Sequence, residues 1–168
     1  RVLWLTTDRQ AADVPRRLAG FIQALHDNGI EHDPELALAI PDPGVPLLIG
    51  TGTLRPLPFA AEKYLERQVH YTAVTGYSTL PIVSFCHELY LRGARVPEDV
   101  SVVAYRDQPY LPWQNIPLTG ILEAKYEMGS EAVLRMHRFI SGETDQIESA
   151  IVPIRFSSMK SVQTLDDA

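Results

Sequence analysis

The chain has 168 residues, of which 45% are hydrophobic and 21% charged, ordinary values for one globular domain or a large part of a two-lobed one. Its formal net charge of −6 excludes a general nucleic-acid binder, because such proteins carry lysine and arginine clusters that replace counterions along the phosphate backbone. No stretch approaches the roughly 18 apolar residues of a membrane-spanning helix, so we expect no membrane segment. The single cysteine, Cys86, excludes an intrachain disulfide and fits a reducing, cytoplasmic compartment.

Strands and helices are predicted to alternate along the chain. After a first strand at Val2 to Thr6, Asp13 can cap a helix whose apolar residues recur at helical spacing from Val14 to Leu25, and Gly29 ends it. The later predicted elements are, in chain order, a strand at 36–40, a helix at 59–67, a strand at 71–75, a helix at 79–92, strands at 100–105 and 118–121, a helix at 123–141 and a strand at 151–156. The path of residues 41–57 is not predicted. This alternation predicts an α/β fold, with βα units on a parallel sheet.

Motifs of catalysis are largely absent. The five histidines show no metal-ligand spacing, and we expect surface or helix-face positions for them. Gly50 and Gly52 lack the third glycine of a dinucleotide-binding loop and the lysine of a phosphate-binding loop. No Gly-x-Ser-x-Gly sequence and no suggestive pair of carboxylates is present. We therefore predict no metal, no cofactor and no enzymatic activity, and an α/β enzyme is the least favoured class.

The stretch from Gly93 to Tyr105, GARVPEDVSVVAY, is the most specific motif in the chain. Gly93 is expected to end a helix, Pro97 and Asp99 to build a turn, and the residues from Val100 onward to form a core strand. The stretch resembles the phrase G-x-x-V-P-x-D-V-S-V-x-G-Y of the lactose/galactose-repressor (LacI/GalR) family of transcriptional regulators. Further blocks resemble that family in the same order, at residues 17–30, 72–74, 117–119, 128–133 and, more weakly, 160–162.

The resemblance implies a Rossmann-like lobe of a type I periplasmic-binding-protein-like domain. Residues 1–117 would form most of the C-terminal lobe, 118–150 a crossover strand and helix of the N-terminal lobe, and 151–168 a return strand and tail. Most of the N-terminal lobe and the DNA-binding headpiece would then lie outside this chain. The helix at 123–141 would belong to that other lobe, so we expect its apolar stripe to lack its natural sheet here.

The function implied by the resemblance is ligand sensing and dimerisation in a DNA-binding transcriptional regulator. A small metabolite, such as a sugar, sugar acid or phosphosugar, would modulate operator binding, and DNA would be contacted only through the headpiece. The alternative is an extracytoplasmic sugar-binding protein of a transport system, which shares the fold. A signal peptide upstream would favour that alternative, whereas a helix-turn-helix would favour the regulator.

The predicted ligand site lies beyond the carboxyl ends of the strands, where open parallel sheets bind their ligands. By resemblance, Arg17 matches an effector-binding arginine, Ser78 stands where the family has an asparagine, and Arg106 stands where it has an aspartate. Asp13, at the end of the loop after the first strand, completes the predicted set. Two arginines in one cleft would repel each other unless an anion lay between them, which predicts an anionic effector. The alternative is that Arg106 pairs with a nearby carboxylate.

The helix at 79–92 is apolar over more than one stripe, which favours a second partner besides its own sheet. We therefore predict a homodimer interface on this helix and on the loop after the strand at 100–105, and the helix residues predicted for it are Ile82, Phe85, Cys86, Leu89 and Tyr90. The alternative is a helix buried entirely in the core, and as a thiol in this apolar pattern Cys86 is expected to be packed rather than reactive.

Overall fold

The computed structural model describes residues 1–7, 13–40, 70–105 and 117–164. Their strands are β1 (Val2–Thr7), β2 (Ala37–Ile40), β3 (Ala73–Gly76), β4 (Ser101–Tyr105), β5 (Thr119–Leu122) and β6 (Arg155–Ser157). Their helices are α1 (Asp13–Asp27), α2 (Thr79–Leu91) and α3 (Lys125–Ile140), with a short 3-10 turn at Pro34–Leu36. The predicted α/β fold is confirmed. The helix predicted at 59–67 lies outside the described residues.

The strands form one six-stranded sheet in the order β2-β1-β3-β4-β5-β6. Strands β1 to β5 run parallel, and β6 pairs antiparallel with β5. The carboxyl ends of the five parallel strands therefore meet on one side, which we call the carboxyl end of the sheet. The strand predicted at 118–121 for the other lobe is β5 of this same sheet, because its backbone pairs with β4 over Val103↔Thr119 to Tyr105↔Ile121.

The last strand was predicted at 151–156 but comprises only Arg155–Ser157. Ile151 is 97% exposed, and residues 151–154 form no regular structure. Pro153 in that apolar run has no N–H to donate to a neighbouring strand, and proline is rare inside paired strands for this reason. The strand predicted from the hydrophobicity of residues 151–154 was therefore wrong for these residues.

The core lies between the sheet and α2. Alternate residues of the central strands, such as Leu3, Leu5 and Val102, face this helix and are almost fully buried. On the opposite face of the sheet, Trp4 stacks on Phe21 of α1, with ring centroids 4.8 Å apart. The two helices thus cover opposite faces of the sheet. Because α1 follows β1 and α2 follows β3 along the chain, each helix starts at the carboxyl end of the sheet.

Helix α3 contains no buried residue. Several of its large apolar side chains are at least half exposed, among them Tyr126, Val133, Met136 and Ile140. In water such a stripe is unfavourable, since each exposed apolar surface forgoes the free energy of burial. None of the helices in the described ranges is long and apolar enough to cross a membrane.

The turn between α2 and β4 has the form that the sequence motif predicts. Gly93 adopts a φ of +79° and ends the helix. One carboxylate oxygen of Asp99 accepts hydrogen bonds from the backbone N–H and Nε of Arg95 at 2.8 and 3.0 Å. The side-chain hydrogen bond from Arg95, followed by the backbone one, lowers the pKa of Asp99 to about 2. Asp99 therefore closes this turn on Arg95.

The segment after β6 returns to the sheet beside β4 and β5. Ser161 there is fully buried; its Oγ donates to the carbonyl of Val102 at 2.6 Å and accepts the N–H of Thr119 at 2.7 Å. Its own carbonyl accepts the N–H of Val102 at 2.7 Å. Val102 and Thr119 lie at the beginnings of their strands, so Ser161 joins β4 to β5 at the end of the sheet opposite the carboxyl end.

Candidate functional site

Arg17 is held at the carboxyl end of the sheet by contacts with three different segments. Its Nη1 donates to the carbonyl of Tyr77, just after β3, at 2.5 Å, and its Nη2 donates to Oε1 of Glu123, just after β5, at 3.3 Å. The guanidinium carbon lies 4.4 Å from the ring centroid of Tyr105, the last residue of β4. We refer to Arg17, Tyr77, Tyr105 and Glu123 as the Arg17 cluster.

The sheet register explains why the cluster forms. Tyr105 pairs with Ile121 across β4 and β5, and Glu123 follows two residues later, on the same side of its strand by the alternation of side chains. Tyr77 donates its N–H to the carbonyl of Leu5, which fixes the start of the loop after β3 against β1. The three described contacts of Arg17 therefore come from residues that the parallel sheet already positions.

An aromatic ring and two hydrogen-bond acceptors fix the orientation of the Arg17 guanidinium. The aromatic ring of Tyr105 covers one face of its plane, while a carbonyl and a carboxylate accept hydrogen bonds at its rim. The side chains of Arg17 and Glu123 remain 25% and 27% exposed, respectively. The site is thus a partly solvated, orientated ion pair on an aromatic ring, an arrangement suited to binding a polar ligand.

Ser78 lies next to this cluster, at the amino end of α2. Its backbone is extended and it occupies the N-cap position, but its side chain makes no capping hydrogen bond, and the first turn contains no acidic residue. The buried hydroxyl of Thr79 likewise has no hydrogen-bond partner among the described residues. The start of α2 therefore has neither a side-chain cap from Ser78 nor an acidic residue, and the positive end of the helix dipole there favours an acceptor on a ligand.

Of the four predicted ligand-binding residues, the structure brings Arg17 and Ser78 to the same end of the sheet. The Asp13 side chain and all of Arg106 lie outside the described residues. An anionic effector was predicted on the assumption that the charge of Arg17 is uncompensated, and this assumption is wrong. The structure pairs Arg17 with Glu123, so its guanidinium does not by itself require an anion.

Sequence reasoning missed Tyr105 and Glu123. Glu123 was assigned to the helix predicted at 123–141, whereas α3 begins only at Lys125. The rule that ligand-binding residues follow the carboxyl ends of parallel strands, applied to the strand at 118–121, would have indicated Glu123. Tyr105 closes the most specific motif of the chain, but no pattern in the sequence showed that an arginine would stack on it.

The described residues contain no cluster of three or more histidine, cysteine or acidic side chains that could hold a metal ion. Burial raises the pKa of the Cys86 thiol to about 12. A thiol with so high a pKa is almost entirely protonated at neutral pH, and so Cys86 is a poor nucleophile.

The residues predicted for a dimer interface divide into two groups. Ile82, Phe85 and Leu89 are almost completely buried because they pack against the chain's own sheet, so they are core residues and do not contact a partner. Cys86 is partly buried against the same core. Tyr90 is 62% exposed and the adjacent Leu91 63%. The helical part of the predicted interface is thereby reduced to the exposed end of α2, and the loop after β4, also predicted to take part, lies outside the described residues.

A sequence model of the periplasmic binding protein-like domain matches residues 1–162. The chain belongs to this family. Periplasmic binding protein-like domains related to it occur in transcriptional regulators. The chain is 28% identical over 127 residues to the HTH-type transcriptional repressor CytR of Escherichia coli K12, and the alignment covers 76% of the chain and 34% of CytR. It is 30% identical over 130 residues to the HTH-type transcriptional regulator CelR of Thermobifida fusca, covering 77% of the chain and 35% of CelR.

Solved structures of regulators share the fold. A CelR–cellobiose complex superposes with a TM-score of 0.74 at 24% identity, over 96% of this chain and 46% of the other. A sugar-binding regulator of the LacI family from Escherichia coli, complexed with phosphate, superposes with a TM-score of 0.73 at 22% identity, over 96% and 54%. The chain spans about a third of the length of the related regulators CytR and CelR. Its resemblance to the LacI-type family is confirmed.

Proposed function

We propose that this chain is part of the effector-binding domain of a LacI-type, DNA-binding transcriptional regulator, acts in the cytoplasm and catalyses no reaction. The observation that carries the proposal is the Arg17 cluster, which offers an orientated guanidinium and carboxylate at the carboxyl end of a periplasmic-binding-protein-like sheet. Ligands of open parallel sheets bind at this end. The related proteins CytR and CelR are transcriptional regulators, which favours this function over a transport role.

The effector we propose is a small, hydroxyl-rich metabolite of the sugar class. Arg17 donates hydrogen bonds and Glu123 accepts them, so together they can satisfy a hydroxyl group in both of its roles. The hydroxyl of Ser78, which makes no capping hydrogen bond, adds a further donor at the start of α2. Sugar acids and phosphosugars belong to the same class, and Arg106 is the residue that would distinguish them.

We further propose that α3 packs against a second lobe of the same protein. Its exposed apolar stripe has no cover among the described residues. A second lobe would bury that stripe and place the Arg17 cluster in a cleft between two lobes. Effector binding would then change lobe closure, and closure would change DNA affinity.

The function is tested with the full-length protein and random duplex DNA. We expect selection to yield a preferred operator, and we expect a sugar-class compound found by thermal-shift screening to change the affinity for it. Residues 1–168 alone should show no sequence-specific binding at low salt, because the segment is acidic. A full-length protein without sequence-specific DNA binding would contradict the proposal.

We propose a homodimer that uses the exposed end of α2, around Tyr90 and Leu91. Exposed neighbouring apolar residues of this size favour an interface with another protein surface. Tyr90→Glu in the full-length protein should give monomers, because it buries a charge in the interface without a partner. Ile30→Glu, also on an exposed apolar residue, should leave the dimer intact. Light scattering measures both masses, and an unchanged dimer mass for Tyr90→Glu excludes this interface.

A further inference from the structure

We propose that Glu123 determines specificity in the candidate ligand site by selecting effectors according to charge. This inference rests on the proposed function only in treating the Arg17 cluster as a ligand site. The carboxylate of Glu123 lies between two cations: Oε1 is 3.3 Å from Nη2 of Arg17, and Oε2 is 4.0 Å from Nζ of Lys125. Arg17 is the nearer cation and the one stacked on an aromatic ring.

The ion pair reduces the attraction of Arg17 for anions. A guanidinium on an aromatic ring beside the amino end of a helix would by itself attract phosphate or carboxylate strongly. Glu123 adds an opposite charge within the same cluster, so the pair carries no net charge. An anion that approaches Arg17 must either displace this carboxylate or lie close to it, and repulsion between like charges opposes both arrangements.

A neutral hydroxyl group avoids this conflict. It can accept a hydrogen bond from the guanidinium and donate its own hydrogen to the carboxylate, because a hydroxyl is both donor and acceptor. A carboxylate has no hydrogen to donate to Glu123, and phosphate, which keeps a hydrogen at neutral pH, still brings its negative charges against this side chain. Glu123 therefore favours hydroxyl-bearing effectors and discriminates against anionic ones.

The position of Glu123 in the fold keeps its carboxylate beside Arg17 and partly shielded from water. It lies in the two-residue connection between β5 and α3, directly after a strand whose register against β4 is fixed by backbone pairing. With its side chain only 27% exposed, the carboxylate is partly shielded from water. Charge interactions at such a partly buried position are screened less than those at the open surface.

The test measures binding of inorganic phosphate to the full-length protein by calorimetry at pH 7.5 and low salt. Glu123→Gln keeps the shape of the side chain but removes its charge, and we expect it to bind phosphate at least about tenfold more tightly than the wild type. Glu127→Gln, which removes an exposed carboxylate paired with Arg155, is the matched control and should leave phosphate affinity unchanged. Arg17→Met combined with Glu123→Gln should lose the gain.

Phosphate affinity of Glu123→Gln within twofold of the wild type, or a gain that persists in the double variant, overturns the inference. The phosphate affinity of Glu123→Ala is measured as well, because this variant also removes the carboxylate. The unfolding transition of each variant is recorded, so that a poorly folded protein does not decide the result. The experiment needs no DNA and is independent of the operator assay. If phosphate affinity is unchanged while an effector still alters operator binding, only the role of Glu123 fails. If operator binding is absent but the gain occurs, charge selection stands and the regulatory function fails.

Discussion

Arg17→Met is expected to weaken effector binding by at least about thirtyfold. Methionine keeps an unbranched apolar stem that can pack on Tyr105, but it removes every donor that Arg17 offers to a ligand. A hydrogen bond to a charged group contributes roughly 1.5–3 kcal/mol, and about 2 kcal/mol corresponds to this factor. In the variant the partly buried carboxylate of Glu123 keeps Lys125 as an ion-pair neighbour, at 4.0 Å.

Calorimetry on the full-length protein, with a compound that alters operator binding, measures this effect. Arg16→Met is the control, because Arg16 precedes Arg17 on the same helix and is exposed to solvent. Arg16→Met should bind the compound as the wild type does. Wild-type affinity in Arg17→Met would show that the ligand does not contact the Arg17 cluster, and the proposed site would then be rejected.

Ser161→Ala is expected to lower the free energy of unfolding by about 2–3 kcal/mol. The substitution deletes the Oγ that links the carbonyl of Val102 to the N–H of Thr119, and Ser161 is fully buried. Water therefore cannot replace the lost hydroxyl. A buried donor left without a partner costs about 1–3 kcal/mol, and the Val102 carbonyl loses one of its hydrogen bonds in addition.

Urea unfolding, followed by circular dichroism, measures the loss as a lower transition midpoint with an unchanged slope. Ser158→Ala is the control in the same segment, since Ser158 is exposed, and it should change stability by no more than about 0.5 kcal/mol. Because Ser161 lies at the end of the sheet opposite the Arg17 cluster, effector affinity of the folded Ser161→Ala protein should equal that of the wild type. Stability within 0.5 kcal/mol of the wild type would show that this hydroxyl does not join β4 to β5.

Local features of the structure could be predicted from the sequence by itself. Gly29, Gly93 and Gly142 end helices with φ angles of 68°, 79° and 74°, and all three were recognised because only glycine adopts such angles without a steric penalty. The alternation of apolar strands and amphipathic helices correctly predicted an α/β fold, since parallel strands need helical crossovers. The motif from Gly93 to Tyr105 indicated the family because its turn and core strand have separate local requirements that are rarely met together.

The partners of each functional side chain were decided only by the tertiary structure. The apolar pattern of α2 could not show which stripe is buried, because it is apolar around more than one side; packing against the sheet placed Phe85 inside and left Tyr90 exposed. The bond between Arg17 and Glu123 joins residues 106 positions apart, and that between Ser161 and Val102 joins residues 59 apart. Such contacts depend on strand order and register, whereas periodicity along the chain reports only on neighbours within a few residues. The sequence thus determined where the ligand site should lie, and the assembled sheet decided that Arg17 is paired with a carboxylate there.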